Sequence, residues 1–143
     1  MVTETSSYEF TADTARIDPA RVHGLLAEYA YWAAGRPREL QDRAIANSRN
    51  YGILAASGEL IGYARVVTDL ANFAWLADVI VDPHHRRRGL ARELIRFVLA
   101  DLRPYDLRRI VLKASPEGRG LYEELGWKRL DDPDDWLGLG PDA

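Results

Sequence analysis

The chain has 143 residues, 47% hydrophobic and 29% charged, the balance of one globular domain spanning 1–143 and able to bury a core without staples. It has no cysteine, which removes disulfides, thiolate catalysis and Cys-ligated metal sites, and a net charge of −3 argues against nucleic-acid binding by bulk electrostatics. No apolar run approaches a membrane span and residues 1–15 lack the pattern of a secretory signal, so the expected compartment is the cytoplasm.

Tyr8–Thr11 alternates as a short strand. Asp18-Pro19 is a cap followed by proline at the first helical position, and Val22, Leu25, Leu26, Tyr29 and Ala30 follow at helical spacing. Gly35-Arg36-Pro37 breaks that helix. A second helix is predicted from Pro37 to Ser48, with Leu40, Ala44 and Ile45 on one face. Tyr51–Ala56 and Leu60–Val67 read as a hairpin around Ser57-Gly58, and Trp75–Val81 as a third strand ended by Asp82-Pro83. Leu90, Leu94, Ile95, Val98, Leu99 and Leu102 form the stripe of an amphipathic helix over 89–102. Ile110–Ala114 reads as a buried-type strand. Leu121, Tyr122 and Leu125 mark a short helix stopped by Gly126, with final strands expected at Trp127–Leu130 and Trp136–Leu139. The order implies an α/β fold: a mixed sheet of six or seven strands with four main helices on both faces.

Charge is unevenly placed. Arg86, Arg87, Arg88 and Arg92 cluster, while Asp131, Asp132, Asp134, Asp135 and Asp142 load the C-terminal end. All basic residues but Lys113 and Lys128 are arginine, which codon bias explains as well as a need for planar forks that suit phosphate and carboxylate. The arginine cluster lies where a strand, Val79-Ile80-Val81, runs through a turn into a helix. Such a turn aims free backbone N–H groups and the positive end of the helix dipole at one point. Gly89 lets a ligand approach the backbone, and Ala91 keeps the next approach point small. This is neither a Walker loop nor a dinucleotide fingerprint. A solvated surface turn is the alternative.

In Arg86-Arg87-Arg88-Gly89-Leu90-Ala91 after Val79-Ile80-Val81-Asp82-Pro83, the chain resembles the GNAT family of N-acetyltransferases, whose motif is Arg/Gln-x-x-Gly-x-Gly/Ala. Gly120-Leu121-Tyr122-Glu123-Glu124-Leu125-Gly126-Trp127 is similar to a second family segment, Leu-Tyr-x-x-x-Gly-Phe. The resemblance implies acetyl-CoA as co-substrate and an amine acceptor. Backbone groups of Val79, Ile80 and Val81 would pair with the pantetheine arm. Arg86, Arg87, Arg88, Gly89, Leu90 and Ala91, with Arg92 nearby, would bind the pyrophosphate. Many family members carry asparagine before the last helix; Ser115 stands in that region here, and Pro116 removes a backbone donor.

Acyl transfer needs a neutral amine, a stabilised oxyanion and a proton for the leaving thiolate. Tyr122 matches the position of the family's general acid, with core packing beside Leu121 and Leu125 as its alternative. The Val79 N–H would be the oxyanion donor. Asp78 stands in an apolar run, either as base or ammonium anchor, or as a salt bridge with Arg65. Asp69 is a weaker candidate. On the acceptor side, Tyr31, Trp32, Phe73 and Trp75 could form an aromatic wall, and Arg36, Arg38 and Arg65 could hold an acidic group. Each equally fits a core aromatic or an exposed arginine. His23, His84 and His85 show no metal-ligand spacing, so no metal is expected.

Two further readings share these residues. The acyl donor could be another acyl-CoA or a carrier-protein phosphopantetheine, or the chain could bind acyl-CoA without catalysis. A homodimer through apolar residues near Trp127 or Trp136 is also open.

Overall fold

The computed structural model describes residues 7–141, so Asp142 lies outside it. The described chain forms two compact units that part after Lys113.

The first unit is built on a five-stranded sheet: β1 (Glu9–Thr11), β2 (Arg49–Leu54), β3 (Leu60–Thr68), β4 (Phe73–Val81) and β5 (Arg109–Leu112), neighbours in that order. The first four pair antiparallel, and β5 joins β4 in parallel. Three α-helices complete it: α1 (Pro19–Tyr29), α2 (Arg38–Ala46) and α3 (Leu90–Leu102). Asp18 caps α1, its carboxylate accepting from the Ala20 and Arg21 N–H groups, with Pro19 at the first helical position as expected.

The pleat sends alternate residues to opposite layers. Tyr63, Leu54, Leu60 and Ile80 join Val22, Leu25 and Leu26 of α1 and Ile45 of α2 in one core cluster. On the other face Tyr51 meets Phe97 of α3 edge-on, ring centroids 6.2 Å apart. There α3 buries Leu90, Leu94, Ile95, Val98 and Leu102. Asp101 ties α3 to β2, its Oδ2 accepting from Arg49 Nη2 at 2.8 Å and from the Tyr51 hydroxyl.

Several expectations are corrected. The first helix ends at Tyr29, before Gly35, and Tyr31–Ala33 forms a 3-10 turn. In α2 the buried residues are Gln41 and Ile45, and Leu40 faces solvent, because Gln41 is drawn inward by a polar cluster described below. Every residue of β5 is half-buried, as suits an edge strand in this sheet.

The second unit holds one short helix, α4 (Arg119–Glu124), followed by Gly126 at φ +111°. No strand follows β5 among the described residues, so the sheet has five strands instead of six or seven. The stretch after Trp127 contains Asp131, Asp132, Pro133, Asp134 and Asp135, then Gly138 and Gly140, all residue types depleted in strands. Residues 133–135 form a 3-10 turn instead.

Candidate active site

The site grows from an irregularity in the β3–β4 ladder. Tyr63 pairs with Ile80 and Arg65 with Ala77, so Asp78 and Val79 together stand opposite Ala64. This is a β-bulge, and Asp78 within it takes the left-handed conformation, φ +54°. Aspartate adopts that region more readily than most residues. Beyond the bulge β4 leaves its other neighbour: pairing with β5 covers only Phe73–Leu76 against Arg109–Leu112. Residues 77–81 therefore have no strand partner on that edge among the described residues.

This half-open edge leads into the arginine turn. Asp82 ends it, accepting from the His84 N–H at 3.0 Å and from Arg21 Nη2 at 2.7 Å. Burial alone would raise the Asp82 carboxyl, but the His84 contacts and Arg21 outweigh it and hold it low. Arg87 and Gly89 both take positive φ, +65° and +71°. Gly89 occupies the N-cap of α3, where no side chain caps the helix. A Cβ at Gly89 would meet no protein atom within 4 Å, so the space in front of the helix start is open. Arg86 and Arg87 are exposed at this turn. Arg88 is half-buried, and its guanidinium donates to the Tyr8 hydroxyl, which in turn lies 2.7 Å from His85 Nδ1. This Tyr8–His85–Arg88 contact anchors the turn to the start of β1. Arg92 is half-buried in the first turn of α3.

An elongated, amide-bearing arm fits the open edge of β4, and a pyrophosphate fits the uncapped helix start with Arg86 and Arg87 beside it. The residues present thus suit coenzyme A.

Behind the bulge, Asp78 is buried and doubly paired. Its Oδ2 accepts from Arg65 Nε and from Arg36 Nη1, each at 2.9 Å. Burial would raise the Asp78 carboxyl, but the two arginines outweigh it and hold it below its ordinary value. Arg36 also donates to Gln41 Oε1 at 2.7 Å, and Arg65 Nη1 to Ser48 Oγ at 3.3 Å. Neither Gln41 nor the bulge was foreseen in the sequence; an aspartate inside an apolar run was the only sign of either.

The acceptor candidates scatter. Tyr31 and Trp32 are exposed and meet edge-on at 5.4 Å. Arg38 pairs with Asp42 one helical turn on, out in solvent. Phe73 and Trp75 line an open groove of about 460 Å³ with Val67, Thr68, Asp69 and Val111. Arg65 links groove and bulge, its guanidinium carbon 5.7 Å from the Trp75 ring centroid. Asp69 Oδ1 is occupied by the N–H groups of Ala71, Asn72 and Phe73, which pull its pKa down to about 2.

In the second unit, burial pushes the Tyr122 hydroxyl up to about 12. Its ring packs edge-on against Trp127 at 5.6 Å. Ser115 Oγ accepts from the Gly118 N–H at 3.1 Å, which commits one of its two lone pairs to the start of α4 and leaves its O–H to donate elsewhere.

A family model described as the acetyltransferase (GNAT) family matches residues 19–127. An uncharacterised N-acetyltransferase of Gracilaria tenuistipitata var. liui is 34% identical over 80 residues, covering 56% of this chain and 43% of that protein. The chloroplastic GCN5-related N-acetyltransferase 2 of Arabidopsis thaliana is 33% identical over 81 residues, 57% of this chain and 31% of that one. The chain spans less than half the length of these curated relatives. Among solved structures, a Xanthomonas campestris pv. campestris protein described as belonging to the GNAT family of acetyltransferases superposes with a TM-score of 0.87 at 32% identity, covering 93% of this chain and 92% of that one. A Clostridium acetobutylicum protein described as a predicted acetyltransferase, crystallised with acetyl-CoA, shares the fold, with a TM-score of 0.69 at 17% identity over 93% of this chain and 94% of that one. No helix among the described residues is long and apolar enough to cross a membrane.

Proposed function

The chain belongs to the GNAT acetyltransferase family, and from that membership we propose that it transfers an acetyl group from acetyl-CoA to the amine of a small molecule. The observation that carries this reading is the edge of β4 beyond Leu76, free of β5 and leading to the uncapped start of α3. A pantetheine arm is a strand mimic: its amides pair with a strand edge as a peptide does. Residues 79–81 hold that arm, and Arg86, Arg87 and the first N–H groups of α3 hold the pyrophosphate.

Acetyl-CoA supplies a reactive thioester. The Val79 N–H, within the bulge, stabilises negative charge on the thioester oxygen. The amine nitrogen forms the new C–N bond and gives up a proton to solvent, and the C–S bond breaks. The Tyr122 hydroxyl returns a proton to the leaving thiolate, the role that the family resemblance assigns it. A raised pKa keeps that hydroxyl protonated at every physiological pH. Asp78 is a positioning residue in this scheme: a carboxylate shared by two guanidiniums is a weak base, and it fixes the bulge from which Val79 projects.

The test is a melting curve with CoA, acetyl-CoA and longer acyl-CoAs, followed by thiol release with a panel of amines. Specific binding raises Tm by mass action. Acetyl-CoA should raise Tm and release thiol in an amine-dependent way. No shift with any CoA thioester would overturn the assignment.

A further inference from the structure

The polar cluster behind the bulge is unbalanced. Arg36 and Arg65 share the single carboxylate of Asp78, and neither pairs with another acid among the described residues, so the cluster carries one excess positive charge. The excess faces outward: the arginine side chains keep 20% and 11% of their exposure, the Asp78 side chain 2%.

Gln41 sharpens the point. Its Oε1 accepts from Arg36, which fixes the orientation of the amide, because the NH₂ end cannot accept from a guanidinium. The Nε2 end is therefore left buried with no acceptor. Buried donors without partners are rare because they are costly. A glutamate at 41 would keep the bond to Arg36, remove the orphaned donor and cancel the excess charge. The amide does none of the last two, and it leaves the two guanidiniums short of an anion.

Asp78 and Val79 are consecutive, so covalent geometry keeps the guanidiniums within roughly 9 Å of the Val79 N–H. An α-amino acid is short enough to sit between the two, its carboxylate hydrogen-bonded to the guanidiniums and its nitrogen at the thioester carbonyl that the Val79 N–H polarises. Arg65 also lies over Trp75, which opens the apolar groove shared with Val67, Phe73 and Val111. The ladder register pairs Trp75 with Val67 and with Val111, so these side chains share one sheet face.

Building on the acetyl-transfer reading, we propose that the acceptor is an amino acid with an apolar side chain. Its carboxylate is bound by Arg36 and Arg65, and its side chain lies in the Trp75 groove. Gln41 is a positioning residue that holds Arg36 and keeps the pair cationic.

The experiment compares L-phenylalanine and glycine with their carboxamides as acceptors, in wild type and in Gln41→Glu. Wild type should prefer L-phenylalanine over L-phenylalaninamide at least tenfold in kcat/KM, and over glycine through KM. In Gln41→Glu the acid-over-amide ratio should collapse at least fivefold, through KM more than kcat, with a Tm no lower than wild type. In parallel, N-acetyl-L-phenylalanine in the presence of CoA should raise the Tm of wild type more than its amide does, and lose that advantage in the variant. Equal use of acid and amide, equal Tm shifts from both, or no shift from either would overturn the carboxylate site. Equal use of glycine and phenylalanine would overturn the groove assignment. An acid-selective Tm shift without thiol release from any amine would leave the carboxylate site standing and sink the acetyl-transfer reading instead.

Discussion

Arg65 and Asp78 meet across the β3–β4 ladder, Nε to Oδ2 at 2.9 Å, with Asp78 held at a backbone φ of +54°. The ion pair and the bulge are one device. The left-handed residue lies within the bulge, and its buried carboxylate is held there by Arg65 and Arg36.

Asp78→Asn should therefore destabilise strongly. It keeps a residue that tolerates positive φ but leaves two guanidiniums without a counter-charge, a loss of about 3 kcal/mol for a broken buried pair. Urea unfolding measures it. The pH dependence has a definite sign, because the folded Asp78 titrates below its ordinary 3.8. Its contribution is present above pH 3.8 and is lost as pH falls through the lower folded value, so the variant should lose this acid-sensitive part of the stability curve.

Tyr122→Phe should lower turnover at least tenfold while leaving acetyl-CoA affinity nearly unchanged. With its hydroxyl at about 12, the wild-type rate should show no falling limb from this residue between pH 7 and pH 10. Equal turnover in the variant would remove Tyr122 from the chemistry.

Gly89→Ala separates folding from binding. The new Cβ meets no protein atom, so the cost to the apoprotein is the positive φ alone, about 1 kcal/mol. The same Cβ projects into the space assigned to the pyrophosphate. Calorimetry should show a CoA affinity at least tenfold weaker beside a small fall in Tm.

Alkaline stability should follow the buried tyrosines. Burial raises the hydroxyls of Tyr51, Tyr63 and Tyr122 above the ordinary value of 10. Their neutral forms favour folding fully below pH 10, and that contribution is lost as pH rises through the folded values. Unfolding monitored by tryptophan fluorescence should become easier from about pH 10 upward.

Strong periodicity made the helix after Gly89 legible from the residues alone, and the strand–turn–helix that presents it followed from chain order. Gly89 was singled out as a point of close backbone approach, and its positive φ of +71° is a further property that the structure adds. The last strands were misread because Trp127 and Trp136 look like strand residues, while the acids and Pro133 between them do not sustain a ladder. The inward turn of Gln41 at the expense of Leu40 could not be read from apolar spacing. It is fixed by Arg36, which reaches Asp78 from 42 positions away. The bulge has the same character: it is a property of the β3–β4 register, and a lone aspartate in an apolar run is its only trace.

The unshared stretch of β4 has a further cost for the free protein. Backbone N–H and C=O groups at a sheet edge invite any passing strand, and natural edges are usually guarded by charge, proline or a covering element. Here Val79, Ile80 and Val81 are among the stickiest residues available for such an encounter. On the proposed reading, the peptide-like arm of CoA would serve both as substrate and as edge guard. Purified without it, the chain should aggregate more readily on storage than when CoA is kept in the buffer.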